Sequence, residues 1–282
     1  VPADRQTEVE NERGVVLLRP NMPRASVLFF QPTNAAALGK KQVREAIRFA
    51  LDKQALLDAA LFGQGTLAHT PLLPGMLGAH PDLVDVMDVE RANNLFDEAK
   101  YTWAENTLVR SKDGSTSEDA ERLSFVLKTI DHPEMTAAAE KIKEQLAQVG
   151  VEITIELVDA TSVYDAVIRT RDFELLLTGV QMGLDPDPYP FWHSSQAREP
   201  GLNLAGYINR KADEIMEKAR ATNNAEERTA LYRSFQEMVH DDVPAVFLYT
   251  SRYRYATSEK IRGLSLDRIF VPSDRFATIG SW

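Results

Sequence analysis

The sequence predicts an α/β fold with a mostly parallel sheet flanked by helices, and the stretch from residue 123 to residue 180 carries that prediction. "LSFVLKT" has the composition of a strand, "HPEMTAAAEKIKEQLAQVG" has an apolar face at helical spacing, and "VEITIELV" alternates between apolar and polar residues. A short helix at 163–169 then leads to "FELLLTGV", which is apolar enough for a fully buried strand. Strands that alternate with helices form parallel sheets with right-handed crossovers.

Helix ends are marked along the chain. Pro133 falls in the first turn of the central helix, where a missing N–H costs nothing, and Gly150 follows its last turn. Upstream, apolar residues at helical spacing predict one helix over 41–61 that stops at Gly63. Asp88 is a suitable N-cap for the helix that follows it. Farther along, "NRKADEIMEKARAT" and "AEERTALYRSFQEMVHDD" predict two helices, and "AVFLYT" predicts a last buried strand.

Composition excludes several classes of protein. The 282 residues are 44% hydrophobic and 26% charged, which is typical of a globular protein, and no apolar run is long enough to span a bilayer. The net charge of −10, with basic residues interleaved among acids, argues against a nucleic-acid partner. With zero cysteines there is no thiol catalysis and no disulfide. The first residues lack an initiator Met and an apolar signal, which predicts a mature chain or a piece of a longer one.

The loop "QMGLDPDPYPFWHSS" follows the predicted strand "FELLLTGV", and ligands of open parallel sheets bind beyond such strand ends. The Asp-Pro pairs stiffen this loop, which lowers the ordering cost of holding a cationic or peptidic ligand. A second interpretation is ordinary turn chemistry, with the aromatic residues packed in the core. Asp185, Asp187 and His193 have the residue types of a metal site but neither EF-hand spacing nor a second histidine, so we expect no metal.

Enzyme motifs are absent from the sequence. It contains no nucleophile elbow, no Walker loop and no zinc-protease helix, and "GQGTLA" follows a helix, where a dinucleotide fingerprint needs a strand. We therefore expect a protein without catalytic activity and without a cofactor. Two alternatives stay open: a small α/β hydrolase or transferase that uses Asp185, Asp187 and His193, and an interaction module that binds no ligand.

Four stretches, in this order, resemble the family 5 extracellular solute-binding proteins, which are the oligopeptide, dipeptide and nickel receptors of ABC importers. "KQVREAIRFALDKQALLDAALFGQGT" resembles the family's Val-Arg-x-Ala-Ile helix, and "AAAEKIKEQLAQVGVEITIELV" resembles its helix leading into a strand. "DFELLLTGVQMGLDPDPYPFW" resembles the strand with its Asp-Pro loop, and the block from "NLAGYINRKADEIM" to "VPAVFLY" resembles the long C-terminal block. The resemblance covers residues 27 to 264.

The resemblance implies a fold of the type II periplasmic-binding-protein class, in which two lobes close on a ligand by a hinge. It implies that residues 1–26 are an irregular lead-in from a missing first lobe, that 27–250 form the second lobe, and that 251–282 return toward the first. It also implies a periplasmic or extracellular monomer, lipid-anchored through a removed N-terminus, that captures a peptide or a similar small solute and delivers it to a membrane permease. Nickel chelates, sugars and opines are the other ligand classes it allows.

Carried over by position, the family's ligand contacts fall in two groups. One group follows the "FELLLTGV" strand and comprises Val180, Gln181, Met182, Gly183 and Asp185, and the other is the segment near Asn203 and Tyr207. We add Trp192 as a further candidate contact. Peptide receptors usually have Trp where Val180 stands, and an Asp nearby that pairs with the ligand's α-amino group. Asp185 is the nearest carboxylate here, and its hydrogen bond to an ammonium group would be worth roughly 1.5 to 3 kcal/mol if it were sheltered from water.

Overall fold

The computed structural model describes residues 1–2, 5–183, 185–264, 266 and 269–281. Its strands are β1 (Val15–Leu18), β2 (Asn21–Phe30), β3 (Gly65–Leu67), β4 (Tyr101–Trp103), β5 (Arg110–Lys112), β6 (Ser124–Ile130), β7 (Glu152–Val158), β8 (Leu175–Gln181), β9 (Ala245–Arg252) and β10 (Tyr255–Ser258). Its α-helices are α1 (Gln6–Glu10), α2 (Lys41–Ala50), α3 (Lys53–Leu61), α4 (Val89–Glu98), α5 (Pro133–Ala147), α6 (Tyr189–Trp192), α7 (Arg210–Ala221) and α8 (Ala225–Asp242). None of the helices in these residues has the length and apolar composition needed to cross a membrane.

Six strands form one central sheet in the order β3-β9-β2-β8-β6-β7. Strand β6 pairs in parallel with both β7 and β8, which confirms the predicted parallel unit. Strand β2 lies between β8 and β9 and is antiparallel to both, and β3 is antiparallel to β9. The sheet is therefore mixed, with β6, β7, β8 and β9 running in one direction and β2 and β3 in the other.

Helices cover both faces of this sheet. Residues of α2, α3, α4 and α5 share one buried cluster with the sheet, and residues of α7 and α8 share another. Along β2, Leu28 and Phe30 belong to the first cluster, while Val27 and Phe29 belong to the second. A strand buried on both faces cannot alternate between apolar and polar residues, and each large apolar side chain that it buries contributes roughly 1.5 to 3 kcal/mol.

The predicted single helix over 41–61 is wrong, because the chain forms two helices there. Helix α2 ends at Ala50 and α3 begins at Lys53. Between them, the side chain of Asp52 accepts a hydrogen bond from the backbone N–H of Ala55 at 3.0 Å and so caps α3. Helical periodicity continues across the break, which is why apolar spacing alone did not reveal it. The predicted N-cap at Asp88 is confirmed.

The N-terminal segment is more regular than its sequence predicts. Residues 1–26 contain α1, β1 and the start of β2, and β1 pairs antiparallel with β10. The register joins Val15 to Ser258 and Leu18 to Tyr255. Because the two partners lie at opposite ends of the chain, no local pattern could predict this ribbon.

The Asp52 cap offers a test of the helix break. We expect Asp52→Ala to lower the free energy of unfolding by about 1 kcal/mol, because α3 loses the acceptor for one of its first N–H groups. Urea unfolding of the variant beside Asp82→Ala, which removes an exposed carboxylate from a loop, measures the difference. Equal stabilities of the two variants would show that the side chain of Asp52 does not cap α3.

Candidate ligand-binding site

The elements from which a ligand site can be built meet at one edge of the sheet, where β2 begins and β8 and β9 end. We call it the strand-end edge. Strand β2 begins at this edge and strands β8 and β9 end at it, since Arg24 is in register with Gln181 and Asn21 with Arg252. The connections from β1 to β2 and from β9 to β10 pass the same edge. A cavity of about 260 Å³ lies there, and its lining includes Asn21, Pro23, Thr66, Pro74, Pro186 and Thr250.

The predicted contacts at the end of β8 alternate between the core and the solvent. Val180 and Met182 are buried, with 8% and 5% of their surfaces exposed, and pack on the α7 and α8 side of the sheet. Gln181 and Gly183 are exposed. The backbone N–H of Met182 donates to the carbonyl oxygen of Pro23 at 2.8 Å, which extends the pairing of β8 with β2. Of these four residues, Gln181 and Gly183 are the ones that a ligand can reach directly.

Asp185 already has a cationic partner. Both of its carboxylate oxygens lie 2.7 Å from Nη2 of Arg228, and its side chain is 61% exposed. The hydrogen bonds that Arg228 donates to Asp185 raise the pKa of Arg228, so the guanidinium group stays charged. The carboxylate of Asp185 is therefore paired with Arg228 and is not free to pair with an ammonium group of a ligand. At this exposure the pair contributes about 0 to 1 kcal/mol, well below the value expected for a sheltered contact.

Trp192 lies inside the core and at the other end of the sheet. It is 1% exposed, and its ring stacks on Phe29 with 6.0 Å between centroids. Phe29 is in register with Leu176, which is separated from Gln181 by about 17 Å of strand. The side chain of Trp192, a predicted contact, therefore packs against the sheet. In this structure it is a core residue.

Asn203 and Tyr207 lie close to Trp192 in the core, and their hydrogen bonds stabilise the loop that contains them. Asn203 is fully buried, and its amide donates to the carbonyl oxygen of Tyr207 at 2.8 Å and accepts from the N–H of Tyr207 at 3.0 Å. The hydroxyl of Tyr207 donates to Asp242 at 2.7 Å. These bonds use the polar groups that would otherwise meet a ligand. Trp192, Asn203 and Tyr207 are thus buried, with 1%, 0% and 7% of their surfaces exposed, and they do not reach the surface of the strand-end edge.

Asp185, Asp187 and His193, the residues of the enzyme alternative, each lie beside a different charged side chain. Asp187 pairs with Arg220 at 3.2 Å, and Nε2 of His193 lies 3.3 Å from the carboxylate of Glu217. Asp185 is held as described above. Within the described residues, no group of three His, Cys, Asp or Glu side chains is placed to hold a metal ion. Asp185, Asp187 and His193 therefore do not meet at one site.

Three residues that the predicted list of ligand contacts does not include meet near the end of β8. Arg24 from β2, Glu134 from the first turn of α5 and Tyr249 from β9 lie on the α5 side of the sheet around Ser26. No motif joins them, because they come from three elements that are distant in sequence. An arginine two positions before the apolar run "SVLFF" is the only local signal, and it is weak.

A buried ionic cluster stabilises the segment 70–85, which includes residues of the cavity lining. Asp85 follows this loop, its side chain is 6% exposed, and its carboxylate lies 2.5 Å from Nζ of Lys53 and 2.9 Å from Nε2 of His240. Burial alone would raise the pKa of Asp85, but hydrogen bonds from His240 and His69 and the charge of Lys53 hold it well below its ordinary value. Burial lowers the pKa of Lys53, yet the several donors around Asp85 favour the ionised pair. The cluster anchors the segment 70–85 against α3 and α8.

A cavity beyond the strand ends of a mixed α/β sheet, with two chain connections beside it, lies where open α/β sheets bind their ligands. The chain belongs to the bacterial extracellular solute-binding proteins of family 5, whose sequence model for the family's middle region matches residues 1–201. This confirms the family that the four sequence stretches predict, together with its α/β fold.

Individual relatives agree with this family. The oligopeptide-binding protein AppA of Bacillus subtilis is 28% identical over 229 residues, which cover 79% of this chain and 41% of that protein. The nickel-binding periplasmic protein of Escherichia coli is 27% identical over 240 residues, covering 81% and 43%. The solved structure of AppA from Bacillus subtilis in complex with a nonapeptide has the same fold, with a TM-score of 0.85, 24% identity, and coverage of 100% of this chain and 55% of that one. The chain spans about half the length of these relatives.

The Asp85 cluster yields a prediction about stability. We expect Asp85→Asn to lower the free energy of unfolding by about 3 to 5 kcal/mol, because it leaves the buried ammonium group of Lys53 without a counter-charge. Since the folded pKa of Asp85 lies below the unfolded value of about 3.9, its stabilisation is present above about pH 4 and is lost as the pH falls further. Urea unfolding from neutral to acidic pH, beside Asp82→Asn, measures both effects. A loss no larger than that of the control would contradict the buried ion pair.

Proposed function

We propose that this chain is the second lobe of a solute-binding protein that captures peptides or similar small solutes outside the cytoplasm and delivers them to the membrane permease of an ABC importer. The observation that carries the proposal is the strand-end edge. It combines the exposed end of β8, a cavity of about 260 Å³ and both chain connections on one side of the lobe. The names of the relatives, among them an oligopeptide-binding and a nickel-binding protein, support the ligand classes. The function requires binding and release without catalysis.

In this proposal residues 27–250 form the lobe, and residues 1–26 and 251–282 lead to and from a first lobe. The ribbon of β1 and β10 supports the division. Its four paired positions lie outside the central sheet and tie the two connections together. Connections that are paired with each other move as one unit, which suits a hinge between two bodies that close on a ligand.

The proposed contacts of this lobe are Gln181, Gly183 and Asp185, while Val180 and Met182 support the strand end from the core side. The exposed side chain of Gln181 donates to the carbonyl oxygen of Phe270, which also lines the cavity. Asp185 lies next to Pro186, another residue of the cavity lining. A ligand in the cavity would therefore meet an amide and a carboxylate at its rim. The other wall would come from the first lobe.

Ligand binding can be tested by thermal unfolding of the 282-residue chain and of its full-length gene product with pooled short peptides and pooled nickel chelates. A ligand at a hundred times its dissociation constant stabilises the bound state by about 2.7 kcal/mol. We expect the full-length product to gain this stability with peptides, and the chain alone to gain much less, because it supplies one wall of the cleft. No gain for either protein with any peptide pool would contradict the peptide assignment, and a gain with nickel chelates alone would replace it.

The Asp185–Arg228 pair allows a charge-specific test in the full-length product. We expect Asp185→Ala to weaken ammonium-bearing ligands relative to neutral ones, and Arg228→Gln to strengthen them, because the first removes the carboxylate and the second frees it. At the exposure of Asp185 each effect should reach about 1 kcal/mol, roughly fivefold in the dissociation constant. Calorimetric titration with matched ammonium and neutral ligands measures it.

Asp172→Ala is the matched control, because Asp172 is 72% exposed and also pairs with a basic side chain. Equal losses for ammonium and neutral ligands in Asp185→Ala would reject the proposed contact.

A further inference from the structure

We infer that two copies of this protein associate through β7, an outer strand of the central sheet, and form a two-fold symmetric dimer with one continuous sheet. The docking surface is the outer side of β7, which is the side not paired with β6, and its partner is the same strand of a second copy. The inference departs from the monomer that the family resemblance implies. It goes beyond the proposed function and does not depend on it, because β7 lies at the flank of the sheet, separated from β8 by β6.

Strand β7 is a long and regular outer strand. It has seven residues and pairs with β6 alone among the described strands, whereas β3, at the other flank of the sheet, has three residues. The pairing of β7 with β6 has no register shift, and β7 contains no proline. Natural outer strands are often short, bulged or interrupted by proline, because a free row of N–H and C=O groups attracts another strand. Strand β7 has none of these three protections.

The backbone groups on the outer side of β7 belong to alternate residues. On the inner side, the backbone N–H of Glu152 donates to the carbonyl oxygen of Leu123 at 2.8 Å. Because the direction of the N–H and C=O groups alternates along a strand, the outward groups belong to Ile153, Ile155 and Leu157. A second strand can form ladder hydrogen bonds only with these three residues.

These three residues are complementary to themselves in one antiparallel register. When Ile155 lies opposite Ile155 of the other copy, Ile153 lies opposite Leu157. All three outward residues then form hydrogen-bonded pairs, with about six hydrogen bonds in total. The register is symmetric, so a two-fold axis at Ile155 relates the copies and closes the assembly at two.

The acidic residues of β7 favour the same register. When the pairing is centred on Ile155, Glu156 lies opposite Thr154 of the other copy. Glu152 lies opposite Val158, so no two acids face each other. A shift by two residues in one direction places Glu152 opposite Glu156, and a shift in the other direction places Glu156 opposite Glu156. Like charges directly opposite are destabilising, so both shifted registers are disfavoured.

Both glutamates of β7 interact with their own chain on the inner side. Glu152 accepts a hydrogen bond from the hydroxyl of Ser124 at 2.8 Å, and a carboxylate oxygen of Glu156 lies 3.5 Å from Nζ of Lys128. Ser124 and Lys128 belong to β6 and lie in register with the two glutamates. The carboxylates are therefore drawn toward β6, which reduces their repulsion of a second copy.

The face of β7 toward α5 supplies the apolar part of the interface. Ile153 is buried in the cluster of α5, Ile155 packs partly against it, and Leu157 is 45% exposed. Pairing would place Leu157 against Ile153 of the other copy and would bring the two Ile155 side chains together at the axis. Facing apolar side chains stabilise antiparallel pairs, and the contact removes Leu157 from water.

Helix α5 leaves room for this pairing. It packs on both β6 and β7, so it lies over this pair of strands. A second β7 at the usual strand spacing places the second α5 on the same face of the sheet, with its axis about 10 Å from the first. Packed helices have axes about 8 to 10 Å apart, so the two α5 helices would lie side by side without overlap.

The first experiment changes the charge of Thr154, an exposed residue of β7, in the full-length product. Sedimentation equilibrium over a range of protein concentrations should show a monomer–dimer equilibrium for the unmutated protein. Thr154→Lys should tighten the dimer and Thr154→Glu should weaken it, because position 154 lies opposite Glu156 of the other copy. Each dimer contains two such cross-strand pairs, so each change should alter the dissociation constant by about twofold to thirtyfold.

Ala230→Lys and Ala230→Glu are the matched controls, because they make the same changes of net charge at an exposed position on α8. They should leave the dissociation constant nearly unchanged. An unmutated protein that sediments as a monomer at every concentration would overturn the inference. A dimer that responds equally to Thr154→Lys and Thr154→Glu, or no more than to the controls, would overturn it as well.

The second experiment tests the register by cross-linking in the 282-residue chain, which has no cysteine of its own. In the register centred on Ile155, Thr154 and Glu156 form a non-hydrogen-bonded pair with Cβ atoms about 4.5 Å apart, within reach of a disulfide. We expect an equimolar mixture of Thr154→Cys and Glu156→Cys to form disulfide-linked dimers under mild oxidation faster than either variant alone. A mixture that cross-links no faster than the single variants would overturn the paired register.

Discussion

Strand β2 is hydrogen-bonded on both sides, and this double pairing is the constraint on which the rest of the structure depends. It joins the parallel unit of β6, β7 and β8 to the C-terminal strand β9, and it brings residues from both ends of the chain into one sheet. Because β2 runs against its neighbours, its first residues lie beside the last residues of β8 and β9. The strand end that sequence analysis links to ligand binding thereby gains Arg24 and the cavity residues that precede it.

The edge created in this way has two chemically different sides. On the side of α7 and α8, prolines and a loop anchored by Asp85 enclose an apolar cavity. On the side of α5, Arg24, Glu134 and Tyr249 lie around Ser26, and the side chain of Tyr249 is buried. Gln181 lies between the two.

Asp85 and Asp185 show how burial determines the contribution of an ion pair to stability. Asp85 and Asp185 both pair with a basic side chain, but the side chain of Asp85 is 6% exposed and that of Asp185 is 61% exposed. Removing one partner of a buried pair leaves the other charge buried without a counter-charge, which strongly destabilises the fold. The pair of Asp85 and Lys53 therefore stabilises the segment that lines the cavity. An exposed pair costs little to break, so the Asp185–Arg228 pair contributes little to the stability of the fold.

By itself, the sequence determined the elements whose signals are local. These are the strand-helix-strand unit from β6 to β8, the cap at Asp88, the helix start at Pro133, the helices α7 and α8, and the family, through four stretches in order. The tertiary structure alone decided where these elements meet. It placed β2 antiparallel in the centre, turned Tyr249 by a bulge, buried Trp192 and Asn203 away from the edge, and paired Asp185 with Arg228. The physical reason is the sequence separation over which each interaction acts. Periodicity and capping involve residues a few positions apart, whereas strand register, burial and ion pairing join residues that are distant in the chain.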